Sequence, residues 1–204
     1  MGTRGCGRVW HGRIPLGLNR LSRGTGRAIE VRRHSVRDPG EEGLSEAGRR
    51  LAGWVGRTSG PFDWVVSSPR RRAVETALGV ARAPDETREI WAELGAEVSE
   101  AIDWPAPFER YRRAVREAPA VRRKAEELTA ETDRILKRLP DEGIALVVTH
   151  GGFPELLTAA HLPGRSLPTP EGPVRCLDGV RIRFGHATGP KVEILRVPET
   201  MTRL

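Results

Sequence analysis

Six consecutive residues, Ile144-Ala145-Leu146-Val147-Val148-Thr149, contain no charge, and only the last is polar. A run of this length without polar alternation is a strand buried on both faces. Such a strand needs helices above and below it, and therefore a mainly parallel sheet. A second compact apolar run, Phe62-Asp63-Trp64-Val65-Val66-Ser67, makes the same demand. Between and around these runs the period changes from two to about 3.6, as alternating strands and helices require.

Arg27 to Arg33 reads as the first strand. Ser45 is the expected N-cap of a helix whose apolar stripe, Leu44, Leu51, Trp54 and Val55, extends to about Val55. Ser68-Pro69 has the form of an N-cap followed by proline at the first helical position, so a helix is expected from there to about Val80. Asp85 to Glu100 is acidic and has no clear period. Pro105 to about Leu139 is helical and highly charged, with a break near Ala118-Pro119. A helix follows Gly151-Gly152, with Pro154 near its start, and Pro163 to Pro173 reads as loop. Gly179 to Phe184 and Val192 to Val197 alternate around a glycine-rich turn, which predicts a terminal antiparallel hairpin. The fold class expected is α/β: a three-layer sandwich with a mainly parallel central sheet, an antiparallel C-terminal hairpin and a helical insertion near residues 105–139.

The formal net charge of +7 would suggest a nucleic-acid partner, but its distribution argues otherwise. Residues 1–29 hold six arginines and no acid; removing those six leaves 28 basic against 27 acidic side chains. The excess belongs to a leader, residues 1–26, expected to be a disordered basic extension ahead of one α/β domain spanning residues 27–204. No apolar run approaches the roughly 18 residues that cross a bilayer, so no membrane partner is expected. Cys6 and Cys176 lack metal or redox spacing and fit a reducing, cytoplasmic compartment.

In parallel α/β sheets, ligands bind outside the carboxyl ends of the strands. Three predicted strand ends carry polar groups: Arg33-His34, Ser68 with Arg72 beyond it, and Thr149-His150. Two histidines and several arginines suit phosphoryl transfer, in which positioning and charge stabilisation do most of the work. Arginine stays charged and presents planar donors that match phosphate. Neutral imidazole is a competent nucleophile that divides one displacement into two.

Four segments in order strengthen this reading: Arg33-His34-Ser35, Leu44-Ser45-Glu46-Ala47-Gly48, Ser67-Ser68-Pro69-Arg70-Arg71-Arg72-Ala73-Val74-Glu75-Thr76-Ala77 and Val147-Val148-Thr149-His150-Gly151-Gly152. Together they resemble the histidine phosphatase superfamily, also called phosphoglycerate-mutase-like, over about residues 27–197. The resemblance implies that His34 is the nucleophile, that Arg33 and Arg72 hold phosphate oxygens, and that His150 is the second pocket histidine. It implies a general acid in the Trp91-Ala92-Glu93-Leu94-Gly95 segment, best met by Glu93, with Glu89, Glu97 and Asp103 as rivals. Ser35 stands where the family usually has glycine and could donate to phosphate; Arg37 could reach it as well, and Gly151 lies beside the pocket. No metal and no cofactor are implied. The expected activity is a metal-independent phosphatase acting on a phosphorylated small molecule or a phosphoprotein, including phosphohistidine, through a phosphohistidine intermediate. A phosphoglycerate-type mutase and a non-catalytic phosphoanion-binding module are the alternatives. The arginines of residues 110–124 are read as a solvated face, with a sharper alternative in which they cap the pocket and select an anionic substrate.

Overall fold

A computed structural model describes residues 26–162, 172–185, 187 and 189–202. Expectations for the leader through residue 25 and for loop residues 163–171 lie outside the described residues.

Six strands form one sheet in the order β3-β2-β4-β1-β5-β6. They are β1 (Ala28–Arg33), β2 (Trp64–Ser67), β3 (Glu86–Thr87), β4 (Ile144–Thr149), β5 (Gly179–Arg183) and β6 (Lys191–Leu195). The first four run parallel; β5 is antiparallel to β1, and β6 to β5. The expected mainly parallel sheet and terminal hairpin are both present, and every residue of β4 is buried.

Side chains alternate between two apolar layers, as the pleat requires. Leu146, Val148 and Val65 face α1 (Glu46–Thr58) and α2 (Arg71–Val80), meeting Leu51, Val55, Ala73 and Ala77. Ala145, Val147, Ile29 and Val31 face the opposite layer. That layer comprises α3 (Ala96–Ile102), α4 (Phe108–Glu117), α5 (Pro119–Leu136) and α6 (Phe153–His161). The charged insertion is the helix pair α4 and α5, broken at Ala118 as expected, with Pro119 opening α5. A short α7 (Glu199–Thr202) follows β6.

Local signals were uneven guides to element ends. Ser45 caps α1 by accepting the Gly48 N–H at 3.0 Å, and the helix runs three residues past Val55. Ser68 is not a helix cap. Helix α2 begins only at Arg71, and the Ser68 hydroxyl accepts the Arg70 N–H at 3.2 Å while turning toward His150. The segment from Asp85 resolves into the two-residue β3, a 3₁₀ turn at Glu89–Trp91 and α3, elements too short for a period to reveal.

Candidate active site

Because β4 lies between β1 and β2, the three polar strand ends are adjacent. The His34 N–H donates to the Thr149 carbonyl at 2.7 Å, and the Ser68 N–H to the Val148 carbonyl at 2.9 Å. These bonds carry the sheet ladder one residue past the strands and place His34, Ser68 and His150 at one edge. Their side chains open into a cleft of about 800 Å³, lined among others by Arg33, His34, Arg72, Glu93, His150 and Gly151.

His34 is almost fully buried. Its Nδ1 lies 2.7 Å from the Ser35 carbonyl, which can only accept, so Nδ1 carries the proton. The lone pair is then on Nε2, 3.2 Å from the donating Nε of Arg72. The same guanidinium reaches His150, with Nη2 3.3 Å from Nδ1. That leaves the His150 proton on Nε2, donated to the Ser68 hydroxyl at 2.8 Å. Arg72 therefore bridges two imidazoles, each presenting it a lone pair, with ring centroids 5.2 Å apart. Burial first, and then the charges of Arg72, Arg33 and Arg37, outweigh the Ser35 carbonyl and lower the His34 pKa to about 4. Burial, followed by His34, Arg72, Arg70 and Arg33, lowers His150 to about 3. Both rings are neutral near pH 7, so the His34 lone pair is available.

Arg33 enters from the end of β1. Its Nη1 donates to the Val174 carbonyl at 3.1 Å, and its guanidinium lies 5.5 Å from the Trp104 ring centroid. Its Nε–H is buried and has no acceptor among the described residues. An anion in the cleft would satisfy that group. The buried Glu155 carboxylate steadies this corner by accepting the Val174 N–H at 2.9 Å and the Gly152 N–H at 3.1 Å.

Not all candidates gather here. Ser35 is fully buried and faces away: its hydroxyl donates to the Gly48 carbonyl at 2.7 Å, and its N–H donates to the Thr76 hydroxyl at 2.9 Å. It ties the loop after His34 to α1 and α2 and does not line the cleft. Arg37 is exposed and outside the lining, although its charge contributes to the low His34 pKa. Glu93 lines the cleft, largely exposed, in an ion pair with Arg70. Glu89 and Glu97 do not line it, and Glu97 is 3.5 Å from Arg123; Asp103 and Glu100 do line it.

Several roles in the site go beyond the sequence reading, which placed Ser68 at a polar strand end without assigning it a partner. Ser68 orients His150, Arg70 pairs with Glu93, and Trp104 and Tyr111 wall the cleft. Ser68 was read as a cap and Arg70 as helix surface; only the tertiary approach of β4 and of the loop after β3 reveals their roles. Of the arginine-rich insertion, none of Arg110, Arg112, Arg113, Arg116, Arg122, Arg123 or Lys124 lines the cleft. Among the described residues, no group of three or more His, Cys, Asp or Glu side chains could hold a metal ion, and no helix is long and apolar enough to cross a membrane.

A family profile described as the histidine phosphatase superfamily (branch 1) matches residues 29–174. No sequence among curated proteins matches the chain. Solved structures share the fold. A phosphoglycerate mutase from Bacillus anthracis str. Sterne is 21% identical, with 84% of this chain and 93% of that chain covered and a TM-score of 0.56. A mycobacterial glucosyl-3-phosphoglycerate phosphatase complexed with VO3 is 19% identical, with 84% and 100% covered and a TM-score of 0.58. A phosphoserine phosphatase from Entamoeba histolytica, complexed with 3-phosphoglyceric acid, is 15% identical, with 86% and 99% covered and a TM-score of 0.56.

Proposed function

The chain belongs to the histidine phosphatase superfamily, and on that premise we propose that it is a phosphatase acting on phosphomonoesters through a phosphohistidine at His34. One observation carries the reading. The His34 ring holds its proton on Nδ1 against the Ser35 carbonyl and aims the Nε2 lone pair at the cleft, beside Arg72 and a second neutral imidazole.

In the first step Nε2 attacks phosphorus, the P–N bond forms and the ester P–O bond breaks. Arg72 swings its two donors from the imidazoles onto phosphoryl oxygens, and the buried Arg33 Nε–H takes a third. Guanidinium charge thereby supplies the stabilisation the transferring group requires, without a metal. The departing alkoxide takes a proton from Glu93, the proposed donor, which must take up that proton and release Arg70 before it can give it. In the second step Glu93 takes a proton from water, the hydroxide attacks phosphorus, and the P–N bond breaks to return neutral His34 and release phosphate.

The substrate is proposed to be a phosphorylated small molecule or a phosphoprotein. The free thiol of Cys176 supports a cytoplasmic setting as part of the same reading. The decisive experiment is turnover of an aryl phosphate by wild type and His34→Ala, with circular dichroism to verify folding. The variant should lose essentially all activity, and wild type should yield an acid-labile phosphoprotein on rapid quenching. Equal activity in the folded variant would overturn the reading. A mutase would instead transfer the group between the hydroxyls of phosphoglycerate faster than to water, and a binding module would hold vanadate without turnover.

A further inference from the structure

Cations and acids line the same cleft: Arg72 bridges the two histidines, Arg33 lies against the Trp104 ring, and Glu93, Glu100 and Asp103 line the cleft with them. Glu93 is matched by Arg70, but Glu100 and Asp103 have no ion pair among the described residues. The nearby arginines are turned elsewhere. Arg110 donates to the Ile102 and Ala101 carbonyls, Arg112 pairs with Glu109 at 2.7 Å, and Arg123 reaches Glu97.

An apolar platform lines the same cleft beside Gly151 and Gly152. A β-carbon at Gly151 would come within 2.8 Å of the Trp104 ring, and one at Gly152 within 2.7 Å of Leu94 Cδ1 and 3.0 Å of the Tyr111 hydroxyl. Glycine at both positions lets Trp104, Leu94 and Tyr111 close in next to His150. Trp104 remains 45% exposed, a large aromatic surface left open inside a cleft. Tyr111 is fully buried, and its hydroxyl has no partner among the described residues.

Resting on the phosphatase reading above, we propose that the substrate's alcohol portion is a flat apolar group bearing no second anion, with a cationic amine favoured: an aromatic amine-bearing phosphomonoester, not a phosphoglycerate or a bisphosphate. The ring packs on the part of Trp104 that Arg33, 5.5 Å from its centroid, leaves exposed. An ammonium group beyond the ring meets Glu100 and Asp103, and a carboxylate or second phosphate there is repelled by both. This reverses the anionic preference that the arginine-rich insertion suggests in sequence.

The test uses three benzylphosphonates that cannot be hydrolysed, carrying para-aminomethyl, para-hydroxymethyl or para-carboxymethyl groups. Their binding to the full chain is measured by calorimetry. The aminomethyl compound should bind about tenfold or more tighter than the carboxymethyl compound, because two exposed carboxylates act with opposite sign on the two ligands. The gap should narrow between about 0.05 and about 0.5 M salt in wild type, a check that needs no variant. It should close to within about twofold in the Glu100→Gln, Asp103→Asn double variant. Trp104→Ala should weaken all three ligands together. Equal binding of the charged ligands by wild type, a gap insensitive to salt, or no binding of any of the three would overturn the proposal. Turnover of the matching phosphate esters reads the phosphatase separately: charge-ranked binding without turnover would sink the phosphatase and leave the pocket's preference standing.

Discussion

Arg72 offers the sharpest test of the site, because one side chain is asked to do two things that two substitutions separate. Its Nε and Nη2 lie 3.2 and 3.3 Å from the facing nitrogens of His34 and His150, so its two donors span the space where a phosphoryl group would enter. Arg72→Lys keeps the charge but replaces a planar pair of donors with a point charge. Losing one hydrogen bond to a charged group costs about 1.5–3 kcal/mol, a fall of roughly 10- to 100-fold in kcat/KM. Arg72→Gln also removes the charge, and the fall should reach about 10³-fold, the scale for loss of an oxyanion donor.

The charge has a second readout. Arg72 contributes to the lowered pKa of both His34 and His150, so both should rise in Arg72→Gln and rise less in Arg72→Lys. As pH falls, more of the Gln variant's His34 is protonated and unable to attack, so its deficit relative to wild type widens toward acid. Substrate ionisation cancels in that ratio. The assay is kcat/KM on an aryl phosphate across the acid range, with imidazole titration by NMR. Folding should be little affected, because the side chain is only partly buried and the Thr76 hydroxyl bonds the Arg72 backbone carbonyl whatever the side chain. A Lys variant within about threefold of wild type, or a Gln deficit that is flat with pH, would refute the assignment.

Three further outcomes follow from the same geometry. Ser35→Ala should lower unfolding free energy by about 1 kcal/mol in urea denaturation, by loss of the bond to the Gly48 carbonyl, and leave KM for an aryl phosphate unchanged. Stability should fall as pH drops below the ordinary histidine value of 6.5, because His34 and His150, at about 4 and about 3, stay neutral in the fold while the unfolded chain takes up protons. Thermal melting across that window should show the loss. Tyr111→Phe removes a buried hydroxyl without a partner among the described residues, so melting should be unchanged or consistent with a gain of about 1 kcal/mol.

What the sequence revealed, and what it concealed, divides along physical lines. The uncharged run of β4 and the compact run before Ser68 announced buried strands, and these imply that their polar ends meet. Arg33, His34, Arg72 and His150 do converge on one cleft. Hidden features were those decided by contact between distant segments. Ser35 and His34 are neighbours in sequence, yet one turns to the gap between α1 and α2 and the other to the cleft; a serine beside a histidine carries no sign of that choice. Trp104 and Tyr111 are isolated aromatics in a charged stretch, indistinguishable by pattern from core anchors. Glu93, exposed among other acids, had only its motif context to recommend it, and its pairing with Arg70 depends on how the loop after β3 returns across the sheet.

The aim of His34 depends finally on strand register, and the buried charges beside it help explain how that register is held. On β1, Glu30 and Arg32 project to one face, and Ile29, Val31 and Arg33 to the other. Glu30 is fully buried, opposite Arg181 in the β1–β5 ladder, with Arg32 Nε at 2.5 Å and Arg181 Nε at 3.0 Å. Burial pushes the Glu30 pKa up, but the two guanidinium groups outweigh it and the net shift is downward, so the cluster stays ionic. Such a cluster adds little net stability compared with an apolar equivalent. Its effect lies in what it forbids. A one-residue slip of β1 would exchange the two faces, driving Glu30 and Arg32 into the apolar layer under α4–α6 and Arg33 out of the cleft. Leaving even one of those charges buried without its partner would cost about 3–5 kcal/mol, a large share of what a domain this size has in hand. The same alternation that makes Arg32 structural therefore frees Arg33 for the anion, and it delivers His34 to the Thr149 carbonyl in the register that exposes Nε2.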